Sequence, residues 1–169
     1  MPRQEPPDNL ALDNPLWQYA LSLWSHEGMA QRCLEAQSQG LAVIPLLVAL
    51  FCAARNTQVP EAEPVALQQW REGVTSDLRA LRTSLPKHHS AIAALRDTVK
   101  AAELQAEQVE LAWWWQHLAE HDLPGHPGLS RAQLARHNLD SLLPELAPSL
   151  AASLVELWRE IMEANGDPL

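Results

Sequence analysis

Three side chains with metal-binding chemistry share one face of a predicted helix. Glu110, His117 and His121 are seven and four residues apart, spacings that bring them together at about 100° per residue. A carboxylate and two imidazoles can bind Zn²⁺, which takes a fourth protein ligand or a water. His126 or His137 would have to supply that fourth ligand. The spacing permits a metal-dependent enzyme, and a solvated polar face that opposes the helix dipole is the simpler interpretation.

Nucleophilic chemistry has less support in this chain. Cys52 is the best candidate nucleophile, but it lies among apolar residues in a helical pattern, as does Cys33. A thiol in such a setting usually behaves as a small hydrophobic side chain. The sequence offers no recognisable nucleophile with a placed base and no motif for a bound cofactor. We therefore expect no cofactor, and a protein that is not an enzyme.

Positive charge is concentrated in one part of an acidic chain. The net charge is −9, yet residues 71–100 contain six of the twelve basic side chains and only three acidic ones. That segment carries +3, so the rest of the chain carries −12. The six basic residues are Arg71, Arg79, Arg82, Lys87, Arg96 and Lys100.

Two interpretations of this basic segment remain open. Its side chains could bind an acidic protein surface or RNA phosphates, with His88 and His89 adding charge below about pH 6.5. Alternatively, the long arginine side chains could pair with acidic residues of a neighbouring helix. The acidic remainder of the chain argues against a general nucleic-acid or anionic-membrane binder.

The elements that position these side chains are predicted to be helices only. Ala, Leu, Glu and Gln dominate, glycines number six, and period-2 alternation is almost absent. Breakers and apolar rows predict helices over about residues 14–25, 27–39, 44–55, 130–137 and from 148 onward. Together with two helices between residues 64 and 121, this gives an all-α globule of six to seven helices.

Residues 64–121 are predicted to form a long antiparallel helical hairpin. An apolar seam runs along the first arm and resumes after a turn near Pro86. On the second arm the seam residues are Ile92, Leu95, Val99, Ala102, Ala106, Val109 and Trp113. A second arm over residues 90–121 would be about 48 Å long, so part of the hairpin is expected to project from the globule.

The tryptophans are expected to have different environments. Trp113 continues the seam, whereas Trp115 belongs to a second apolar row that also contains Leu104, Leu111 and Leu118. Trp114 falls on a polar stripe, so it is either covered by the linker 123–129 or exposed as an anchor for a partner. The other four tryptophans lie on apolar rows and are predicted to be in the core: Trp17, Trp24, Trp70 and Trp158.

Three motifs give the chain a family resemblance. They are the opening Asn14-Pro15-Leu16-Trp17-Gln18-Tyr19, Trp70 followed by Leu78-Arg79-Ala80-Leu81-Arg82, and a segment from Val99 to Glu107. In combination they resemble a family of short proteobacterial helical proteins of unknown function, over about residues 14–121. The resemblance implies no activity, cofactor or binding residue.

The sequence thus predicts a disordered lead over residues 1–13 and a single helical domain over residues 14–169. The N-terminal residues contain no apolar segment typical of a secretory signal, and no stretch is long enough to span a membrane. We expect a cytoplasmic helical adaptor that binds a protein partner or a second copy of itself. An RNA- or ribosome-associated factor that uses the basic hairpin end is the alternative, and the metal-dependent enzyme is a weaker one.

Overall fold

The computed structural model describes residues 2–167, and within them every regular element is helical. The helices are α1 (Pro15–Trp24), α2 (Glu27–Ser38), α3 (Val43–Ala54), α4 (Val65–Trp70), a π-helical segment (Arg71–Thr75), α5 (Ser76–Ser84), α6 (Ala93–Glu120), α7 (Arg131–Leu142) and α8 (Pro148–Ala164). α4, the π-helical segment and α5 follow one another without a break, so the described residues form seven continuous helical stretches. The all-α prediction is confirmed.

Local capping sets several helix starts. The Asn14 side chain accepts a hydrogen bond from the Trp17 backbone N–H at 2.9 Å, and Pro15 occupies the first turn of α1. Ser130 forms a reciprocal capping box with Gln133 at the start of α7. α7 continues to Leu142, beyond the predicted end near residue 137, because Leu139 on its later turns packs into the core.

α3 is the centre of the globular part of the molecule, which we call the base and define as α1, α2, α3, α7 and α8. Its residues from Ile44 to Ala53 are all buried, as expected for a helix that is apolar on every side. The most extensive helix contact in the chain is between α3 and α7. Asn138 of α7 lies in that contact, where it bonds to three backbone groups of α3 and the following loop.

The predicted hairpin is confirmed, with antiparallel arms. Arg71, near the start of the first arm, bonds to Glu110 of α6, and Arg82, near the end of that arm, bonds to Glu103, which comes earlier in α6. Trp70 also bonds to the Ala106 carbonyl. α6 contains 28 residues, which corresponds to a length of about 42 Å. The π-helical segment at Arg71–Thr75 lies between α4 and α5, and no sequence pattern predicted it.

The seam between the arms agrees with its prediction only in part. Leu95 was expected inside the seam, but it is 55% exposed, and Leu81 on the first arm is 50% exposed. Val99, Ala106 and Trp113 of the predicted seam are buried on α6, and Glu103 and Glu110, which were not predicted for the seam, are buried with them. Acidic side chains occupy seam positions because arginines on the opposite arm neutralise them, an arrangement that an apolar periodicity cannot indicate.

The N-terminal segment, expected to be a disordered lead, contacts the hairpin at Arg3 and Leu12. Arg3 donates a hydrogen bond to the Gly73 carbonyl at 3.0 Å, and its guanidinium lies 5.7 Å from the Trp70 ring centroid. Gln108 of α6 donates to the Leu12 carbonyl at 3.1 Å. These contacts attach the segment although it forms no helix. Met1 and residues 168–169, which the predicted lead and domain include, lie outside the described residues.

Candidate functional site

Trp114 is completely buried, so the interpretation as an exposed partner anchor is wrong. α1, α3, α4 and the π-helical segment all pack against α6. The indole Nε1 of Trp114 has no hydrogen-bond partner among residues 2–167. Its role is therefore in the core.

An ionic cluster lies at the root of the hairpin, and we call it the brace: Glu63, Arg71 and Glu110. The Glu110 carboxylate is 0% exposed, and its Oε1 accepts from Arg71 Nε at 2.8 Å and from Nη2 at 2.6 Å. Glu63, in the loop before α4, accepts from the same guanidinium. Two carboxylates therefore share one arginine in a largely buried site.

A second ionic cluster lies nearer the tip, and we call it the ladder: Arg79, Arg82, Glu103 and Glu107. Arg79 bridges Glu103 and Glu107 at 2.8 Å each, while Arg82 bonds to Glu103. Burial tends to raise the pKa of Glu103, but hydrogen bonds from Arg82 and Arg79 hold this pKa below its ordinary value. The interpretation that these arginines pair with the other arm is confirmed.

The brace and ladder change the meaning of the basic segment. Arg71, Arg79 and Arg82, all proposed partner-binding residues, are engaged by carboxylates of the same chain. Among the described residues, Lys87, Arg96 and Lys100 have no carboxylate within 4.0 Å, and the two lysines are exposed. Half of the predicted cationic set is thus unavailable to phosphates.

The predicted metal site is not assembled. Glu110 is bonded to Arg71, while the rings of His117 and His121 lie against each other with centroids 4.2 Å apart. His121 Nδ1 is 2.7 Å from the His117 carbonyl oxygen. Over residues 2–167 no three His, Cys, Asp or Glu side chains are placed to hold a metal ion together. The interpretation of Glu110, His117 and His121 as one metal site is therefore wrong.

A large apolar groove separates the hairpin from the base, with a volume of about 650 Å³. α1, α2 and α3 form one wall, and α5 and α6 form the other. Four of its side chains are large, apolar and roughly half exposed: Leu21 (44%), Trp24 (41%), Leu34 (51%) and Leu104 (50%). The ladder forms part of the hairpin wall, because all four of its residues line the groove.

The groove was not recognised from the sequence. Trp24 was predicted to be in the core and Leu104 was placed in the second apolar row, but the two side chains are 41% and 50% exposed. Along α6 the lining residues extend from 97 to 111, a distance of about 21 Å along a helix. The only sequence signal for such a groove is a pair of apolar rows, one with Trp24 on α1 and one with Leu104 on α6, both of which also fit core positions.

The comparisons with known proteins give a family but no activity. Residues 15–113 match the family described as a protein of unknown function, DUF2390. The matched segment is more than half of the 169 residues. The chain belongs to this family. No curated protein and no solved structure matches it.

The DUF2390 segment contains the whole groove. Its lining residues extend from Trp17 to Leu111, and the brace and ladder extend from Glu63 to Glu110, all inside residues 15–113. α7 and α8 lie after the matched segment. The groove and the two ionic clusters are thus features of the family region, and the C-terminal helices complete the core beside them.

The reactive groups of this DUF2390 chain are buried. Cys33 and Cys52 are 0% and 1% exposed, and burial raises the pKa of each thiol to about 12. Thiolates are therefore scarce at neutral pH, which supports the prediction of inert core cysteines.

In the described part of the chain, no helix has the length and hydropathy required to cross a membrane.

Proposed function

We propose that this protein is a cytoplasmic protein-interaction module whose groove binds an amphipathic helix of a partner protein. The observation that carries the proposal is the convergence of Leu21, Trp24, Leu34 and Leu104 on one groove. Apolar side chains from three helices at one open site favour a partner, since contiguous exposed apolar surface is uncommon on monomers.

The shape of the groove favours a helix as the bound element. A wall about 21 Å long matches about 14 residues of helix. An amphipathic helix would place residues at positions i, i+3, i+4 and i+7 against such a wall. Trp24 is the expected main anchor, because tryptophans at the centre of an interface often dominate the binding energy.

Charges on the groove wall favour a helix that carries both signs beside its apolar face. Asp97 and Lys100 are exposed, three residues apart on α6, and neither has an ion pair within the described chain. A partner helix with a basic and an acidic residue about one turn apart would complement both. Such rim charges contribute to orientation and specificity more than to affinity.

RNA binding at the hairpin has less support than protein binding. The salt-linked gain from phosphate contact grows with the number of cations available, and three of the six candidate arginines and lysines are already paired. The groove adds no phosphate-binding feature. We therefore retain only the protein-binding proposal.

The proposal can be tested by partner purification at native expression level with matched variants. Trp24→Glu and Leu104→Glu place a charge in the groove, whereas Leu95→Glu places one on the opposite face of α6, nine residues from Leu104. All three positions are exposed, so each variant should fold. We expect one or more proteins to be lost with both groove variants and retained with Leu95→Glu.

The recovered partner then supplies the decisive probe. A synthetic peptide of its amphipathic segment should bind the purified protein and should bind the Trp24→Glu variant at least about tenfold more weakly. The proposal is contradicted if no protein depends on the groove, or if the dependent partner binds through a segment that is not helical. If the two groove variants lose only self-association, measured by sedimentation, and no other partner, the groove binds a second copy of this chain.

A further inference from the structure

When both of its carboxylates are ionised, the brace carries one more negative charge than positive charge. Glu63 and Glu110 share the Arg71 guanidinium, and three of the helices packed around Glu110 supply no second cation. α1, α3 and α4 contain no Asp, Glu, Lys, Arg or His, and their titratable groups are only Tyr19 and Cys52. The preceding turn of α6 contributes Glu107, which adds repulsion.

The remaining charged groups nearby do not supply a second cation. Glu72 on the π-helical segment is exposed and bonded to Gln68. On α5, Arg79 and Arg82 are engaged by the ladder, and Asp77 is exposed. Arg3 of the N-terminal segment bonds to the Gly73 carbonyl. Among residues 2–167, Arg71 is therefore the only cation bonded to Glu110.

The two oxygens of Glu110 have different surroundings. Oε1 accepts both hydrogen bonds from Arg71, whereas Oε2 is buried and has no partner among the described residues. An ionised carboxylate would leave half of its charge on an unsolvated oxygen, which is costly in a buried site. A neutral carboxyl can keep the Oε1 bonds and place its proton on Oε2.

We propose that the brace is a pH-sensitive joint: Glu110 binds a proton reversibly, and loss of that proton weakens the hold of the hairpin on the base. Burial raises the pKa of Glu110 to about 7, and it outweighs the lowering effect of Arg71. Because this pKa lies above its ordinary value, the contribution to stability is complete at acidic pH and is lost as the pH rises through about 7.

The position of the brace links it to the rest of the fold. Glu63 lies in the loop between α3 and α4, and the same loop bonds to Asn138 of α7 and to the Pro124 carbonyl. Arg71 and Glu110 belong to the two arms of the hairpin. A change of charge here therefore acts where the hairpin joins the base, and the groove lies between those two parts.

The test compares the wild-type protein with Glu110→Gln, Glu63→Gln and Glu72→Gln between about pH 5 and about pH 9. The equilibrium constant of folding is measured by urea unfolding, and amide hydrogen exchange, corrected for its intrinsic pH dependence, is followed at Arg71–Thr75. We expect the wild-type folding constant to fall with rising pH until Glu110 is ionised, with a slope that approaches tenfold per pH unit. Exchange at Arg71–Thr75 should accelerate over the same range.

Each variant has its own expected result. Glu110→Gln should remove this dependence. Glu63→Gln should move it to lower pH, because Arg71 then serves Glu110 alone. Glu72→Gln, whose exposed carboxylate lies outside the brace, should behave as the wild type. If Glu110 contributed only to packing, Glu63→Gln would not change the pH range over which the folding constant falls.

Carbon-13 NMR titration of the glutamate carboxyl groups in the wild-type protein gives a readout that does not depend on how the variants fold. The carboxyl of Glu110 should titrate near neutral pH. Titration of every glutamate near its ordinary value would overturn the proposal, as would a Glu63→Gln transition that stays in place or moves to higher pH.

Discussion

Two buried tryptophans give a matched test of how hydrogen bonding contributes to this core. Trp114 and Trp158 are both 0% exposed. The indole Nε1 of Trp158 donates to the Tyr19 hydroxyl at 2.7 Å, whereas the indole N–H of Trp114 has no partner in the described chain. Replacement by phenylalanine removes the same atoms at both positions, so the difference between the two variants isolates the hydrogen bond.

The expected magnitudes follow from these contacts. Each substitution leaves a similar void, and the loss of packing costs about 1–2 kcal/mol, less than the 3–5 kcal/mol typical of truncation to alanine. Trp158→Phe also loses a hydrogen bond worth about 1 kcal/mol. Trp114→Phe removes an unpaired buried donor, which returns about 1 kcal/mol or more. We expect Trp158→Phe to be the less stable variant by about 2 kcal/mol, a factor of about 30 in the unfolding constant.

Urea denaturation followed by far-UV circular dichroism measures this difference without depending on indole fluorescence. Equal slopes of free energy against urea concentration for both variants would show that their unfolding exposes similar surface. Trp114→Ala and Trp158→Ala serve as controls for packing, and both should cost several kcal/mol. If Trp114→Phe proves as destabilising as Trp158→Phe, the reasoning from hydrogen-bond partners is refuted.

Three further predictions concern other buried polar groups. Asn138→Ala should lower the free energy of unfolding by about 2–3 kcal/mol, because the bond to the Val59 N–H and two carbonyl contacts are lost; a loss below about 0.5 kcal/mol in urea denaturation would contradict it. The stability difference between wild type and Glu103→Gln should shrink as pH falls below about 5, since the pKa of Glu103 is lowered by its arginine partners; a difference constant with pH would argue against the ladder. Cys33 and Cys52 should react with a thiol reagent only after unfolding, because burial raises both pKa values to about 12; rapid labelling of the native protein would show that they are accessible.

Some of the candidate site could be anticipated from the sequence. The arginines at 71, 79 and 82 and the glutamates at 103, 107 and 110 lie on opposite arms of the predicted hairpin. Antiparallel pairing of the arms brings the two sets together, and pairing was one of the two interpretations considered. What could not be anticipated is the burial of Glu103 and Glu110, because isolated glutamates on a helix resemble solvated residues until their partners are placed.

The groove shows the opposite limitation. Trp24 and Leu104 belong to regular apolar rows, and a row records only that a helix face is apolar. Whether another element covers that face depends on how the helices pack in three dimensions. Here a groove lies between α1 and α6 at these residues, so side chains that resemble core positions remain half exposed.

The sequence by itself determined the helical class, most helix boundaries and the antiparallel hairpin, because capping residues, breakers and apolar spacing act over a few residues. Only the tertiary structure decided which face of α6 is buried, that Trp114 lies in the core, and that a groove separates hairpin from base. Those properties depend on contacts between residues distant in the chain. A buried carboxylate needs its arginine in place, and an apolar face becomes core or binding surface according to its neighbour.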